Sequence, residues 1–297
     1  MLISPFIFVS SIPTLVPSII FGILFLFASS LHLYRITQNR RRVYILLFLF
    51  SFLRTVLFVV RIAWSQDQSS VNLAITSGTF TSGAFFIIIL AIYNLLEDWI
   101  LTLTNTLQIA ENNSNTPRRL AKLTNYEQYI LYTIECLLPV FSTLFVIGII
   151  KEFDHDDVIS DDSDSSITEG ETIIKFSVIS FLVSVTVYMI LVTYFALKYS
   201  NKPIHTQLKV LVLYIVGALL LIELVYTTFM IFAPSTDKIN KYSWIFYVFE
   251  PLPEVLVVVI LGGVILGEWF FEEEDTELVD SIKTGSIGSI GNGNASV

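Results

Sequence analysis

Seven stretches of apolar residues, each long enough to cross a bilayer, succeed one another along the chain with short polar connections between them. A helix needs about 20 such residues to span the hydrocarbon core. The segments at 12–34, 43–64, 73–96, 126–150, 172–197, 209–233 and 244–267 meet that length. They fall close together, so the pattern predicts an all-α polytopic membrane protein, a seven-helix bundle over residues 1–267. The third span is expected to continue as a helix through "WILTLTNTL". A tail over 268–297 starts acidic and ends Gly/Ser-rich, a composition that cannot bury a core.

Composition agrees with that reading. Hydrophobic residues make up 54% of the chain and charged residues 14%, against about 25% charged in soluble domains. This leaves no room for a separate soluble domain. The single cysteine, Cys136, excludes an intrachain disulfide. The first apolar run has no basic residue before it and is longer than a signal-peptide core, so it reads as a span.

Lys and Arg distribution orients the bundle. The first, third and fifth connections hold ten of them: Arg35, Arg40, Arg41, Arg42, Arg118, Arg119, Lys122, Lys198, Lys202 and Lys209. The even connections hold four: Lys151, Lys175, Lys238 and Lys241. The odd connections are therefore expected in the cytosol, with the N-terminus outside or lumenal and the C-terminus cytosolic. The outer connection 151–171 carries nine carboxylates. Its spacing is not that of an EF-hand, and it reads as a solvated acidic loop without a metal.

Catalytic motifs are absent. There is no His-Glu-x-x-His, Gly-x-Ser-x-Gly, phosphate loop or Cys/His cluster. His32, His155 and His205 are scattered over a span end, the acidic loop and a cytosolic loop. The expectation is a protein that is not an enzyme and needs no cofactor, and nothing points to nucleic acid. The seventh span has no lysine for a retinal Schiff base. Span three lacks Asp/Glu-Arg-Tyr and span seven lacks Asn-Pro-x-x-Tyr, so a G-protein-coupled receptor has only the topology in its favour.

The candidate site is the set of ionisable residues inside the spans. Span two carries Arg54 and Arg61, span four Glu135, span six Glu223, and span seven Glu250 and Glu254. Arg at a helix centre costs roughly 2.5–3.5 kcal/mol on insertion scales, so such residues face the bundle interior and find partners. Seven residues advance the helix by about 700°, which places the two arginines within about 20° on one face and about 10.5 Å apart. Glu250 and Glu254, four apart, also share a face. Pro251 and Pro253 beside them remove backbone donors and kink the span. Depth in the bilayer matches Arg61 with Glu250 and Arg54 with Glu254, with Glu223 as a further partner for Arg54. Glu135 has no arginine at its level and is expected protonated or hydrogen-bonded. The network reads either as structural pairing or as a ligand, lipid or proton site.

Two resemblances rest on these residues. "FLRTVLFVVR" (52–61) and "FYVFEPLPEVLVVVIL" (246–261) resemble the second and last spans of the tobamovirus-multiplication family of plant membrane proteins, which includes animal lysosomal orphan seven-helix proteins. Glu254 stands where that family is expected to have a small polar residue. "VPSIIFGILFLFASSLHLYR" (16–35) and "FYVFEPLP" are similar to the first and last spans of fungal lipid-translocating exporter-like proteins. Their second span usually carries a Glu where this chain has Arg54. The first resemblance implies a receptor-like or scaffold protein without enzymatic activity, recruiting a cytosolic protein partner at a vacuolar or lysosomal endomembrane or at the plasma membrane. The second implies a lipid or amphiphile transporter. In either case membrane lipid is a partner, and no residue pattern points to an oligomeric state.

The charge bias generates a direct test. A glycosylation sequon inserted in 151–171 is expected to be modified and one placed in the tail is not. Modification at the tail alone would invert the orientation.

Overall fold

The computed structural model describes residues 14–38, 40–68, 70–112, 125–153, 163–198, 204–232 and 243–263. They form eight helices: α1 (Leu15–Gln38), α2 (Arg42–Gln66), α3 (Val71–Asn112), α4 (Asn125–Phe153), α5 (Ser163–Lys198), α6 (Ile204–Phe232), α7 (Ser243–Phe249) and α8 (Pro251–Gly263). Seven membrane spans result, because α7 and α8 are the two halves of the last one. In lipid every backbone N–H and C=O must be satisfied within the segment, and the helix is the open-ended way to do it.

Each span expected from the hydrophobic pattern is present, with ends shifted by a few residues. As expected, the third span continues as a helix, and α3 runs 42 residues to Asn112. One difference is larger. The acidic connection is not a loop throughout: α4 extends to Phe153 and α5 already starts at Ser163, so much of 151–171 is helical. The Lys151 ammonium lies 3.0 Å from Glu169 Oε2, and Lys175 lies 2.5 Å from Glu171 Oε1. These pairs satisfy some carboxylates along the helix start, which is why apolar length alone misjudged where α5 begins. Residues 154–162 and the tail after Gly263 lie outside the described residues.

The spans form a closed ring. Each packs on its neighbours in chain order, and α8 closes against both α6 and α1. α3 also touches α5 and α6, so it leans into the middle of the ring. Accordingly α3 and the seventh span are the most enclosed, and α1 and α4 present most of their surface outward. Large apolar side chains there, such as Phe27 at 70% exposed and Ile23 at 61%, face the lipid.

Lipid is as apolar as leucine, so the hydrophobic effect does not drive the helices together. Close packing and interhelical hydrogen bonds do so instead. The Tyr93 hydroxyl of α3 donates to the Ser184 carbonyl of α5 at 2.6 Å. The Tyr188 hydroxyl of α5 donates to the Leu213 carbonyl of α6 at 3.3 Å. The Ser82 and Ser142 hydroxyls join α3 to α4 at 3.2 Å. Gly148 lets α4 and α5 touch backbone to side chain. A Cβ there would lie 2.8 Å from Ile174 Cγ1, 3.1 Å from the Gly170 oxygen and 3.2 Å from the Ile174 nitrogen.

Gly148 and Gly22 make a matched pair for measurement. At Gly22 an added Cβ meets Phe58 Cβ at 3.4 Å, an ordinary contact. Gly148→Ala is expected to lower stability by about 1–3 kcal/mol, because backbone atoms must move. Gly22→Ala should change it little. Thermal unfolding in mild detergent reads both; equal effects would contradict the packing described.

Candidate functional site

The apolar pattern that makes α2 a span also fixes which of its sides is enclosed. Tyr44, Leu47, Phe50, Ser51, Arg54, Leu57, Phe58 and Arg61 recur at helical spacing and are all buried. The two arginines lie on that stripe, and each is 1% exposed. On the other side of the enclosed space, Glu223 and Glu254 are 0% exposed and Glu250 4%. Five of the six charged residues expected to form a site therefore meet inside the bundle.

Arg54 is the centre. Its Nη2 hydrogen-bonds and ion-pairs with Glu254 Oε1. The same nitrogen is 3.6 Å from Glu223 Oε1, and its Nη1 is 3.7 Å from Glu250 Oε1. Three carboxylates from two spans converge on one guanidinium. The Phe85 and Phe50 rings flank it, with centroids 5.5 and 5.9 Å from its Cζ. Arg suits this position because its planar fork offers several donors in different directions while staying charged.

Arg61 adds aromatic contacts to the Glu250 partner expected from depth. Its Cζ lies 4.2 Å above the Phe246 ring and 5.9 Å from the Tyr247 ring. The Tyr247 side chain hydrogen-bonds to it, and Glu250 acts on it electrostatically. Glu250, expected opposite Arg61, thus also serves Arg54. It sits at a break in the span. Pro251 and Pro253 have no N–H, so α7 ends at Phe249, Glu250 is a turn residue, and α8 begins at Pro251. Glu250 and Glu254, four residues apart, both bear on the same arginine across that turn.

An aromatic ladder binds this centre to α1. Tyr247 stacks on Phe21 at 5.7 Å, Phe21 on Phe58 at 5.8 Å, and Phe58 on Phe25 at 5.8 Å. Phe25 meets Phe50 edge-on at 5.9 Å. The Tyr247 hydroxyl lies 3.0 Å from Ser18 Oγ and accepts the Thr14 N–H at 3.2 Å. Tyr247 thereby joins the start of α1 to α7 and to Arg61. Sequence reasoning did not single it out; its position three residues before Glu250 was the available signal.

Glu135 stands apart. It is half-buried on α4, with its Oε1 3.5 Å from Asn94 Nδ2, whose main acceptor is the Leu90 carbonyl at 2.9 Å. Glu97 and Arg42 act on it electrostatically. Arg41 and Arg42 also act on Asp98. A second, less buried group of charges thus marks the opposite end of the bundle, and Glu97 and Asp98 were missed because they lie just past the apolar run. His32 is wholly buried beside Gly262, where a Cβ would meet its Cε1 at 3.1 Å. Among the described residues no group of His, Cys, Asp and Glu has a metal-holding arrangement.

A family model described as "RTA1 like protein" matches residues 157–273. That stretch takes in the last three spans, with Glu223, Glu250 and Glu254 but not the arginines. The match is compatible with the fungal resemblance and does not support the tobamovirus-multiplication one. No curated protein and no solved structure matches the chain.

Removing one member of a buried ion pair typically costs about 3–5 kcal/mol, since the other charge is left unpaired. Arg54→Leu is expected to destabilise the protein by about that amount, and adding Glu254→Gln should recover part of the loss. The double-mutant cycle should give a coupling of about 0.5–3 kcal/mol for Arg54 with Glu254 and close to zero for Arg54 with Glu135. Additivity at Arg54–Glu254 would refute the geometry.

Proposed function

We propose that this integral membrane protein moves an amphiphile between the leaflets or across the bilayer, and that the Arg54 cluster is the polar centre through which its headgroup passes. One observation carries this reading: three carboxylates meet a single guanidinium at the point where the seventh span breaks. Buried ion pairs are poor stabilisers, often matched or exceeded by apolar side chains of the same volume. A bundle that only had to be rigid gains little from such a cluster. Transporters, by contrast, place ionisable groups and discontinuous helices near the midplane, where they line the path of a polar group. The similarity of the first and last spans to fungal lipid-translocating exporter-like proteins is in keeping with an amphiphilic cargo.

The near-complete enclosure of the cluster corresponds to an occluded state in this reading. The same enclosure favours the second reading, a receptor-like scaffold whose charges merely lock the helices and whose work is to hold a cytosolic partner. Catalysis is assigned in neither. The two part on behaviour in a pure bilayer, where a scaffold has nothing to recruit.

The test is reconstitution of the purified protein in phosphatidylcholine vesicles containing a trace of headgroup-labelled fluorescent phospholipid. Wild-type protein is expected to expose inner-leaflet label to an external quencher severalfold faster than protein-free vesicles. Arg54→Lys, which keeps the charge but loses the planar fork, is expected to slow it. Equal rates with and without protein would reject transport of this cargo and leave the scaffold reading.

A further inference from the structure

The charges of the cluster do not balance. Two arginines face three carboxylates, all of them buried: Arg54 and Arg61 against Glu223, Glu250 and Glu254. With every group ionised the cluster carries one surplus negative charge, and an uncompensated charge out of water is among the costliest arrangements in a protein. Composition alone does not say which group absorbs it.

The hydrogen bonds do. Glu254 Oε1 is held by Arg54, but Glu254 Oε2 has no donor. Both oxygens of Glu223 are likewise buried with no donor; the Arg54 nitrogen nearest to them is at 3.6 Å, beyond a hydrogen bond. The Glu223 and Glu254 carboxyls meet at one nitrogen: Arg54 Nη2 pairs with Glu254 Oε1 and lies 3.6 Å from Glu223 Oε1. A buried acceptor without a donor is costly, and here three oxygens of two neighbouring carboxyls lack one. A single proton on Glu223, donated to Glu254 Oε2, gives that oxygen a donor, makes one Glu223 oxygen a donor itself and removes the surplus charge; Glu223 Oε1 faces Arg54 Nη2 at 3.6 Å. The groups acting on Glu223 are Arg54 on α2 and Glu254 and Glu250 on the seventh span; among the described residues no charged group of α3 or α5 joins them.

We propose that Glu223 and Glu254 form a proton-binding site, sharing one exchangeable proton in this closed state, and that movement of the amphiphile is coupled to its release. The coupling rests on the transport reading above; the shared proton does not. Parting α8 from α6 separates the two carboxyls and admits water. Glu223 then gives its proton to that water, and its carboxylate is hydrated. Reclosure requires the proton back, because the surplus charge otherwise returns to a dry site. The seventh span is the element able to make this motion. Glu254 sits in the first turn of α8, one turn beyond the break at Glu250.

The experiment uses the full chain in phosphatidylcholine vesicles. Infrared spectroscopy of the wild type is expected to show the carbonyl band of a protonated, water-excluded carboxylic acid at neutral pH. Glu223→Gln and Glu254→Gln should each abolish it, since either removes the surplus charge. Gln has the shape of the protonated acid, so Glu223→Gln is expected to unfold at or above the wild-type temperature; if it does not fold, the wild-type band and its pH titration decide alone. The band's absence from folded wild type at neutral pH, its persistence in both variants, or its replacement on adding sodium at fixed pH would each overturn the site. For coupling, a pH gradient should alter the rate of phospholipid translocation in wild type and not in Glu223→Gln. A gradient-independent wild-type rate would refute the coupling. A proton band without any translocation would instead refute the transport reading and leave the proton site standing.

Discussion

The organising constraint of this bundle is the burial of one guanidinium. Arg54 lies ten or so residues from either end of its span, too deep to reach an interface by extending its side chain. It therefore needs counter-charges from other helices, and it draws them from two: Glu223 from α6, Glu250 and Glu254 from the broken seventh span. That requirement fixes which faces of α2, α6 and α8 point inward. It also explains why the ring closes at α8, which packs between α6 and α1 rather than at the periphery. Once α2 and the seventh span are locked face to face, the aromatic ladder from Tyr247 to Phe50 fills the space beside them and draws α1 in.

The break in the seventh span is part of the same arrangement. Proline removes a donor and crowds the preceding turn, a defect lipid does not tolerate. Pro251 and Pro253 are both enclosed. They lie beside two glutamates one helical turn apart, and both glutamates bear on a single arginine.

Much of this was legible in the chain. Seven apolar stretches gave seven spans, since bilayer thickness sets a length that random composition rarely meets. Spacing of seven put Arg54 and Arg61 on one face, and spacing of four did the same for Glu250 and Glu254. What failed has physical causes. The start of α5 was missed because a helix outside the hydrocarbon needs no apolar residues, only paired charges such as Lys151 with Glu169. The depth matching gave Glu250 to Arg61 alone, whereas its carboxylate also lies 3.7 Å from Arg54, and it left Arg61's aromatic seat on Phe246 unseen. Glu97 and Asp98 were overlooked because hydropathy locates where a span stops and says nothing about a helix that goes on. The pairing of Glu223 with Glu254 depends on the relative rotation of α6 and α8, which no pattern within one helix records.

Arg54 and Glu254 are separated by 200 residues of sequence. At ordinary rates of synthesis, about 5–20 residues per second, the arginines exist for about 10–40 s before their last partner has been made. During that interval the second hydrophobic segment carries two guanidiniums that no segment yet available can neutralise. The final seating of the second helix is therefore completed only after the sixth and seventh segments have been made. A polypeptide truncated before Glu223 holds Arg54 without any of the three carboxylates that meet it in the finished bundle.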